Sequence, residues 1–162
     1  MTIGTATIEA ARWDDPDVQR LAADQQDEVR ARYDGKGEPG TPPSAADISV
    51  VLVARDEDGT ALGCGALREL GNGIAEIKRM FVVPAARGRG VSTALLAALE
   101  DVARERGWTT LRLETGPRQP EAIGLYLGAG YRPIEAFGAY AGHPDADDSL
   151  FYERVLGHER PA

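Results

Sequence analysis

The chain has 162 residues, of which 43% are hydrophobic and 27% are charged, a balance typical of one globular domain that we expect to span residues 1–162. No apolar run approaches the roughly 20 residues that a membrane helix needs, and the first residues do not indicate a secretion signal. The formal net charge of −8 argues against long-range attraction to nucleic acid or to a membrane of anionic lipid.

The cysteine and histidine content indicates the redox compartment and whether a metal site is expected. Cys64 is the sole cysteine, which excludes an internal disulfide and fits a reducing cytoplasm. No base or helix start accompanies it in the pattern, so we expect a core residue, and the flanking Gly63 and Gly65 indicate close packing or a bulge. The sequence has no Cys or His cluster and indicates no metal site.

Turn signals divide the first half into a strand, a helix and a three-stranded meander. Alternation from Thr5 to Trp13 predicts a strand, and Asp14-Asp15-Pro16-Asp17 predicts the start of a helix. The stretch 34–47, rich in Gly and Pro, predicts a loop. Three strands joined by Asp56–Gly59 and Gly71–Gly73 turns follow, at 48–55, 61–70 and 74–83.

The stretch from Ala75 to Glu105 combines a strand, a glycine-rich turn and a helix. The strand ends at Pro84, which has no N–H for a sheet, and apolar residues at helical spacing begin at Val91. The turn Arg87-Gly88-Arg89-Gly90 offers N–H groups at a helix start, close backbone approach and two arginines, which together favour a phosphate or pyrophosphate. A turn that serves only helix packing is the alternative.

After this helix, the pattern predicts a strand at 109–115 parallel to the 74–83 strand, because a helix separates them. A short helix at 120–128 and strands at 131–134 and 150–156 follow. The loop 137–149 carries Tyr140 and His143, which are candidates for an acceptor pocket; His158 belongs to a tail.

Two common phosphate motifs do not fit the turn. A P-loop requires a lysine that the turn lacks, and a dinucleotide fingerprint requires a third glycine where Thr93 stands. The turn resembles instead the acyl-CoA motif Q/R-x-x-G-x-G/A of the GNAT superfamily of N-acetyltransferases, on Arg87 to Ser92, with Ser92 departing from the pattern. The resemblance extends to Ile77–Val83 and to Thr110–Arg132.

The resemblance implies an α/β (α+β) fold: a mixed, mostly antiparallel twisted sheet with a central splay, flanked by helices. It implies acetyl-CoA as co-substrate, with its pantetheine arm along the backbone of β-strand residues Phe81, Val82 and Val83. Gln119 stands where the family often has an Asn that contacts CoA. The diphosphate would be held by Arg87, Gly88, Arg89, Gly90, Val91, Ser92 and Thr93.

Two catalytic roles follow from the same resemblance. Glu76 is the candidate general base for the amine, and the alternative is a solvated strand residue paired with Lys78 or with a neighbouring strand. Tyr126 is the candidate proton donor to the CoA thiolate, and the alternative is a packing tyrosine. Glu114 is a weaker candidate base.

The expected function is direct transfer of acetyl from acetyl-CoA to a primary amine, with a small molecule as the acceptor, and homodimers are common in the family. The acidic net charge would suit a cationic amine, although acidic charge also serves solubility alone. A non-catalytic acyl-CoA sensor of the same fold is one alternative. A module that binds another phosphorylated ligand is a second.

Overall fold

The structure, a computed structural model, describes residues 2–3, 6–37 and 39–157, and of residues 2–3 only the backbone. His158 and Thr5 lie outside these residues. The described elements include eight strands and three α-helices. The strands are β1 (Thr2–Ile3), β2 (Ala6–Ala10), β3 (Ile48–Arg55), β4 (Ala61–Gly71), β5 (Ile74–Val82), β6 (Thr110–Thr115), β7 (Arg132–Ile134) and β8 (Leu150–Val155). The helices are α1 (Pro16–Arg32), α2 (Val91–Glu105) and α3 (Pro120–Gly128).

The eight strands form one mixed sheet in the order β1-β2-β3-β4-β5-β6-β8-β7. Its pairs are antiparallel except for β5 and β6, which run parallel because α2 connects them. The predicted strands and helices are confirmed with bounds that differ by a few residues. Asp15 caps α1 by accepting a hydrogen bond from the Asp17 N–H at 2.8 Å, as the acidic Pro-containing start of that helix predicts.

Each face of the sheet is covered by helices. On one face, Val18 and Leu21 of α1 pack against Val51 and Val53 of β3. On the other, the apolar stripe of α2 packs against the alternate residues of β3 and against Leu111 of β6. Because both faces are buried, β3 is apolar over most of its length, whereas β5 carries the charged residues Glu76, Lys78 and Arg79.

Strand β5 contains a bulge where it crosses the middle of the sheet. Cys64 pairs with Phe81, but Ala66 pairs with Lys78, so two residues of β5 oppose one of β4. Arg79 lies in the bulge with a positive φ of 58°. The extra residue reverses the strand's alternation. Ile77 packs on the α2 face and Phe81, four residues later, on the α1 face.

Gly65 of β4 lies opposite this bulge. A Cβ at Gly65 would stand 2.5 Å from Met80 Sδ and 2.9 Å from Leu99 Cδ1, so glycine lets α2 and the bulge approach the sheet. Cys64 beside it is buried, and burial raises the pKa of its thiol to about 12. Both findings confirm the predicted close packing and core role.

Strands β5 and β6 pair only at their first three positions, from Ile74↔Thr110 to Glu76↔Arg112. Beyond Glu76, β5 keeps its pairing with β4, and β6 keeps its pairing with β8. The two parallel strands therefore separate within the sheet, and the predicted mixed sheet with a central splay is confirmed. Within the described residues, no helix has both the length and the hydropathy to cross a bilayer.

Candidate active site

A cavity of about 690 Å³ lies where β5 and β6 separate. Its walls come from the second half of α1 and the segment just after it, the bulged part of β5, the start of α2, the end of β6, helix α3 and the loop 144–149. The fold thus brings the predicted glycine-rich turn and the predicted tyrosine of α3 to one cavity. Two sequence-distant segments, α1 and the loop 144–149, complete it.

One end of the cavity is formed by the turn before α2. Gly88 and Gly90 adopt positive φ angles of 81° and 78°, and Gly90 is the N-cap of the helix. The first backbone bond of the helix is donated by the Ala94 N–H to the Gly90 carbonyl at 3.1 Å. Among the described residues, the N–H groups of residues 88–93 have no hydrogen-bond acceptor. Such a row of amides at a helix start is suited to an anion.

The two arginines of the turn have protein partners of their own. Arg87 donates from Nη2 to Glu28 Oε2 on α1 at 2.7 Å and from Nε to the Val82 carbonyl at 3.1 Å. Arg89 does not line the cavity, and its Nη2 lies 3.8 Å from Asp56 Oδ1. In this structure the free donors at the turn are therefore backbone amides. Arg87 lines the cavity wall and holds α1 against β5.

The edge of β5 at the cavity turns the backbone of Val82 toward the gap. The Val83 N–H donates to the Leu62 carbonyl on β4 at 2.9 Å, so the alternation of an antiparallel ladder directs the N–H and C=O of Val82 away from β4. The Val82 carbonyl accepts from Arg87 Nε, which leaves the N–H as the group available to a ligand. Phe81 and Val82 line the cavity, whereas Val83 does not. An extended ligand in the gap could pair with this edge as an added strand.

Helix α3 brings Gln119 and Tyr126 to the opposite wall. Gln119 Oε1 accepts from the Gly116 N–H at 3.1 Å and so shapes the turn before the helix. Tyr126 is 5% exposed and packs edge-on against Tyr131. Its hydroxyl has no hydrogen-bond partner in the described part of the chain. Burial, and then the negative charge of Glu114, raise the pKa of Tyr126 above its usual value, so the phenol keeps its proton at neutral pH.

Of the other cofactor-binding candidates, Val91 and Ser92 line the cavity together with Gly88 and Gly90, whereas Thr93 does not. The predicted set is thus gathered mostly, but not wholly, at one surface.

Glu76 lies beneath this cavity rather than on its wall. Its side chain is 1% exposed, and its Oε1 accepts from Arg68 Nη2 at 2.9 Å and from Arg68 Nε at 3.2 Å. Its Oε2 accepts from the Tyr140 hydroxyl at 2.5 Å and lies 3.7 Å from Lys78 Nζ. The alternative to a catalytic Glu76 was a solvated strand residue paired with Lys78 or with a neighbouring strand. The structure shows both pairings, but Glu76 is buried rather than solvated. Its role as a general base stays a prediction.

Tyr140 and His143 were candidates for the acceptor pocket, but neither lines the cavity. Tyr140 is buried among Phe137 and Phe151 and donates to Glu76. His143 Nδ1 accepts from the Asp145 N–H at 3.1 Å. The residues just after His143 reach the cavity instead, and they are Pro144, Asp145, Asp147, Asp148 and Ser149.

The loop after β6 is tied to the end of α1 across the cavity. The Arg118 N–H donates to the Tyr33 hydroxyl at 2.9 Å, and Arg118 Nη1 donates to the Arg32 carbonyl at 2.8 Å. A Cβ at Gly116 would overlap the Tyr33 hydroxyl, so this contact requires glycine. Sequence reasoning missed this contact, because no local pattern indicates which loop meets the end of α1.

Comparisons with known proteins agree with this geometry. A family model described as the acetyltransferase (GNAT) family matches residues 8–131. An IAA acetyltransferase from Azospirillum brasilense is 44% identical over 106 residues, which are 65% of this chain and 67% of that protein. An aminoglycoside N(6')-acetyltransferase type 1 from Klebsiella aerogenes is 34% identical over 93 residues, which are 53% of this chain and 61% of that protein. The chain thus spans about two thirds of these relatives.

Solved structures extend the likeness over nearly the whole fold. A Klebsiella pneumoniae protein provisionally described as an acyl-CoA N-acyltransferase has 37% identity and a TM-score of 0.79, over 94% of this chain and 98% of that one. A phosphinothricin acetyltransferase from Sinorhizobium meliloti, solved with AcCoA, has 22% identity and a TM-score of 0.63, over 98% of this chain and 94% of that one. At this level of identity, the likeness shows a shared fold and nothing more. The chain therefore belongs to the acetyltransferase (GNAT) family.

Proposed function

We propose that the protein transfers the acetyl group of acetyl-CoA directly to a primary amine of a small molecule. The observation that carries this proposal is the row of unpartnered amides from Gly88 to Thr93 at the mouth of the open gap between β5 and β6. The amides suit the diphosphate, and the Val82 N–H, directed into the gap from the edge of β5, suits the pantetheine arm. The thioester would then lie between the two separated strands.

The chemistry requires a polarised thioester carbonyl, a deprotonated amine and a protonated leaving thiolate. A backbone N–H on the free edge of β5 is a donor for the developing oxyanion, because it has no strand partner in the gap. Tyr126, buried and protonated beside the gap, is the donor for the thiolate. Cys64 is buried with its thiol protonated and is no candidate for a covalent acyl intermediate.

Glu76, proposed as the general base, could reach an amine only through another group. It contacts Tyr140 and Lys78, and Lys78 lines the cavity. A relay through a water or through these side chains is the form that this role would take. Replacing Glu76 by Gln tests that role.

A thiol-release assay with purified protein, acetyl-CoA and a panel of amines tests the proposed function. We expect CoA release that depends on one or more amines, with the acetylated amine found by mass spectrometry. Binding of acetyl-CoA without release across the panel would favour the sensor. A larger rise in melting temperature with ATP or NAD than with acetyl-CoA would favour another phosphorylated ligand.

A further inference from the structure

A network of buried polar side chains surrounds Glu76 beneath the cavity. Both carboxylate oxygens of Glu76 are used, because Oε1 accepts from Arg68 and Oε2 accepts from the Tyr140 hydroxyl. Lys78 Nζ donates to the same Tyr140 hydroxyl at 3.0 Å. Each of these four residues is no more than 8% exposed. Side chains from β4, β5 and the loop 137–149 thus bond to one another in the interior, and we call them the Glu76 network.

One end of the Glu76 network holds residues 39–47, the segment before β3. Arg68 Nη1 donates to the Thr41 carbonyl at 2.9 Å and to Asp47 Oδ2 at 3.3 Å. Its other guanidinium nitrogens donate to Glu76, so one planar group bonds the segment and β5 together. Pro39, at the start of the segment, lines the cavity. Arg68 therefore fixes to the sheet a segment that forms part of the cavity wall.

The other end of the network holds the loop 137–149 through Tyr140. The Tyr140 ring packs against Phe137 and Phe151, and its hydroxyl reaches Glu76. Tyr140 itself does not line the cavity, but most residues of 144–149 in the same loop do. The position of this wall therefore depends on a tyrosine that has no contact with the cavity.

The two loops also touch each other at Gly40. Gly40 has a positive φ of 85°, and a Cβ on it would stand 2.8 Å from Tyr140 Cε1. Glycine thus lets the segment 39–47 pack directly on the Tyr140 ring. The ring contact and the Glu76 network together join two wall segments that lie about a hundred residues apart in the chain.

Both loops lie on the α1 side of the sheet. Ile77 packs on the α2 side, so its neighbour Glu76 and the loops that the network holds lie on the other side. Leu113 likewise packs on the α2 side, and its neighbour Glu114 lines the cavity from the α1 side. The glycine-rich turn that suits the diphosphate begins α2. The loops therefore wall the part of the cavity away from the diphosphate, where the proposed function requires the amine.

We propose that Tyr140 is a positioning residue for the acceptor amine. Acting through Glu76 and Arg68, its hydroxyl holds the segment 39–47 and the loop 137–149 in one arrangement before the amine binds. This inference rests on the proposed function, since it concerns the acceptor end of the same cavity. A wall that is already ordered saves the free energy of ordering it on binding, so the network strengthens amine binding and leaves cofactor binding unaffected.

The chain offers a matched control for the Tyr140 hydroxyl. Tyr131 is also a buried tyrosine whose hydroxyl donates to a buried carboxylate, Glu100 Oε2, at 2.9 Å, and it does not line the cavity. Tyr140→Phe and Tyr131→Phe each remove one such hydrogen bond and keep the ring in place. The two variants therefore lose a similar contact at sites that differ in their connection to the cavity wall.

The first measurement is steady-state kinetics with the amine that the wild type acetylates fastest. Tyr140→Phe should raise the KM of the amine by about tenfold, the effect of one hydrogen bond to a charged group, and leave kcat and the Kd of acetyl-CoA unchanged. Tyr131→Phe should match the wild type in all three. Lower kcat with an unchanged KM of the amine would overturn the inference, because it would place the Tyr140 hydroxyl in a proton relay from Glu76.

The second measurement is hydrogen exchange of the backbone amides, which needs no activity. The N–H groups of Asp47 and Ile48 donate to the Ser44 carbonyl and so report opening of the segment before β3. Tyr140→Phe should speed their exchange by about tenfold although Tyr140 belongs to the other loop, and Tyr131→Phe should leave it unchanged. Faster exchange confined to the loop 137–149 would overturn the inference, because it would show that the network does not join the two loops.

The two measurements separate failure of this inference from failure of the proposed function. An equal KM of the amine for Tyr140→Phe and Tyr131→Phe overturns the inference while the proposed function stands. If the wild type acetylates no amine, the proposed function fails, and the role of Tyr140 toward an acceptor fails with it.

Discussion

A single methyl group at the turn before α2 tests where the diphosphate binds. Gly90 has a φ of 78°, lines the cavity, and has nothing within 4 Å of the place where a Cβ would stand. Gly107, just beyond the other end of the same helix, has a φ of 79° and equally open surroundings, and it lies away from the cavity. Gly90→Ala and Gly107→Ala therefore impose the same backbone strain at sites that differ in function.

The magnitudes separate strain from ligand binding. Forcing a left-handed conformation on alanine costs about 1–2 kcal/mol in either variant. For a chain of this size each kcal/mol lowers Tm by about 2–4 °C, so both variants should melt about 2–8 °C below the wild type. Acetyl-CoA at 100 times its Kd adds about 2.7 kcal/mol to the free energy of unfolding of the wild type. If the methyl group at Gly90 raises Kd by about 100-fold, the same concentration adds only about 0.4 kcal/mol.

The assay is thermal unfolding of both variants with and without acetyl-CoA, supported by calorimetric Kd values. Gly107→Ala should keep the full ligand-induced rise in Tm, and Gly90→Ala should lose most of it. An equal rise in the two variants would refute the reasoning. It would mean that the amides from Gly88 to Thr93 do not hold the diphosphate.

Three further predictions concern buried side chains. Tyr126→Phe should lower kcat by about tenfold or more and leave the Kd of acetyl-CoA unchanged; turnover equal to the wild type would remove the hydroxyl from the mechanism. Glu76→Gln should lower the free energy of unfolding in urea by about 3 kcal/mol, because it removes the buried carboxylate next to Arg68 and leaves that guanidinium with the more exposed Asp47 at 3.3 Å; a folded variant with unchanged kcat would end the prediction that Glu76 is the base. Cys64, whose thiol pKa is raised to about 12, should react with iodoacetamide only after unfolding, and stoichiometric labelling of the folded protein would contradict its burial.

The elements of the fold could be predicted from local signals. Asp15 and Pro16 mark the start of α1, the Asp-Gly turn at Gly59 joins β3 to β4, and Pro84 ends the strand before the glycine-rich turn. The splay followed from the family resemblance, which fixed the position of the acyl-CoA turn. These signals act over a few residues, so no tertiary information is needed to read them.

The surroundings of the candidate base could not be predicted, because they depend on register. The bulge at Arg79 reverses the alternation of β5, so a continuous strand would wrongly put Glu76 and Val82 on the same face. Arg68 becomes the partner of Glu76 only through the pairing of β4 with β5, and Tyr140 reaches it from a loop 64 residues away in sequence. Neither contact is indicated by a local pattern in the sequence.

The role of the loop 144–149 in completing the cavity could not be predicted from the sequence either. Its aspartates and Ser149 resemble an ordinary surface loop, and only the pairing of β8 with β6 brings Ser149 against Glu114. Tyr33 likewise reaches the loop after β6 because α1 crosses the sheet toward it. Long-range contacts of this kind decide which of two carboxylates faces the cavity.

A crystal structure of the protein grown with acetyl-CoA tests the central claim most directly. We predict electron density for the diphosphate on the N–H groups of residues 88–93, with the acetylated thiol between β5 and β6 and its sulfur beside the Tyr126 hydroxyl. Density for the cofactor on another surface, or β5 and β6 joined by hydrogen bonds beyond Glu76, would contradict the account.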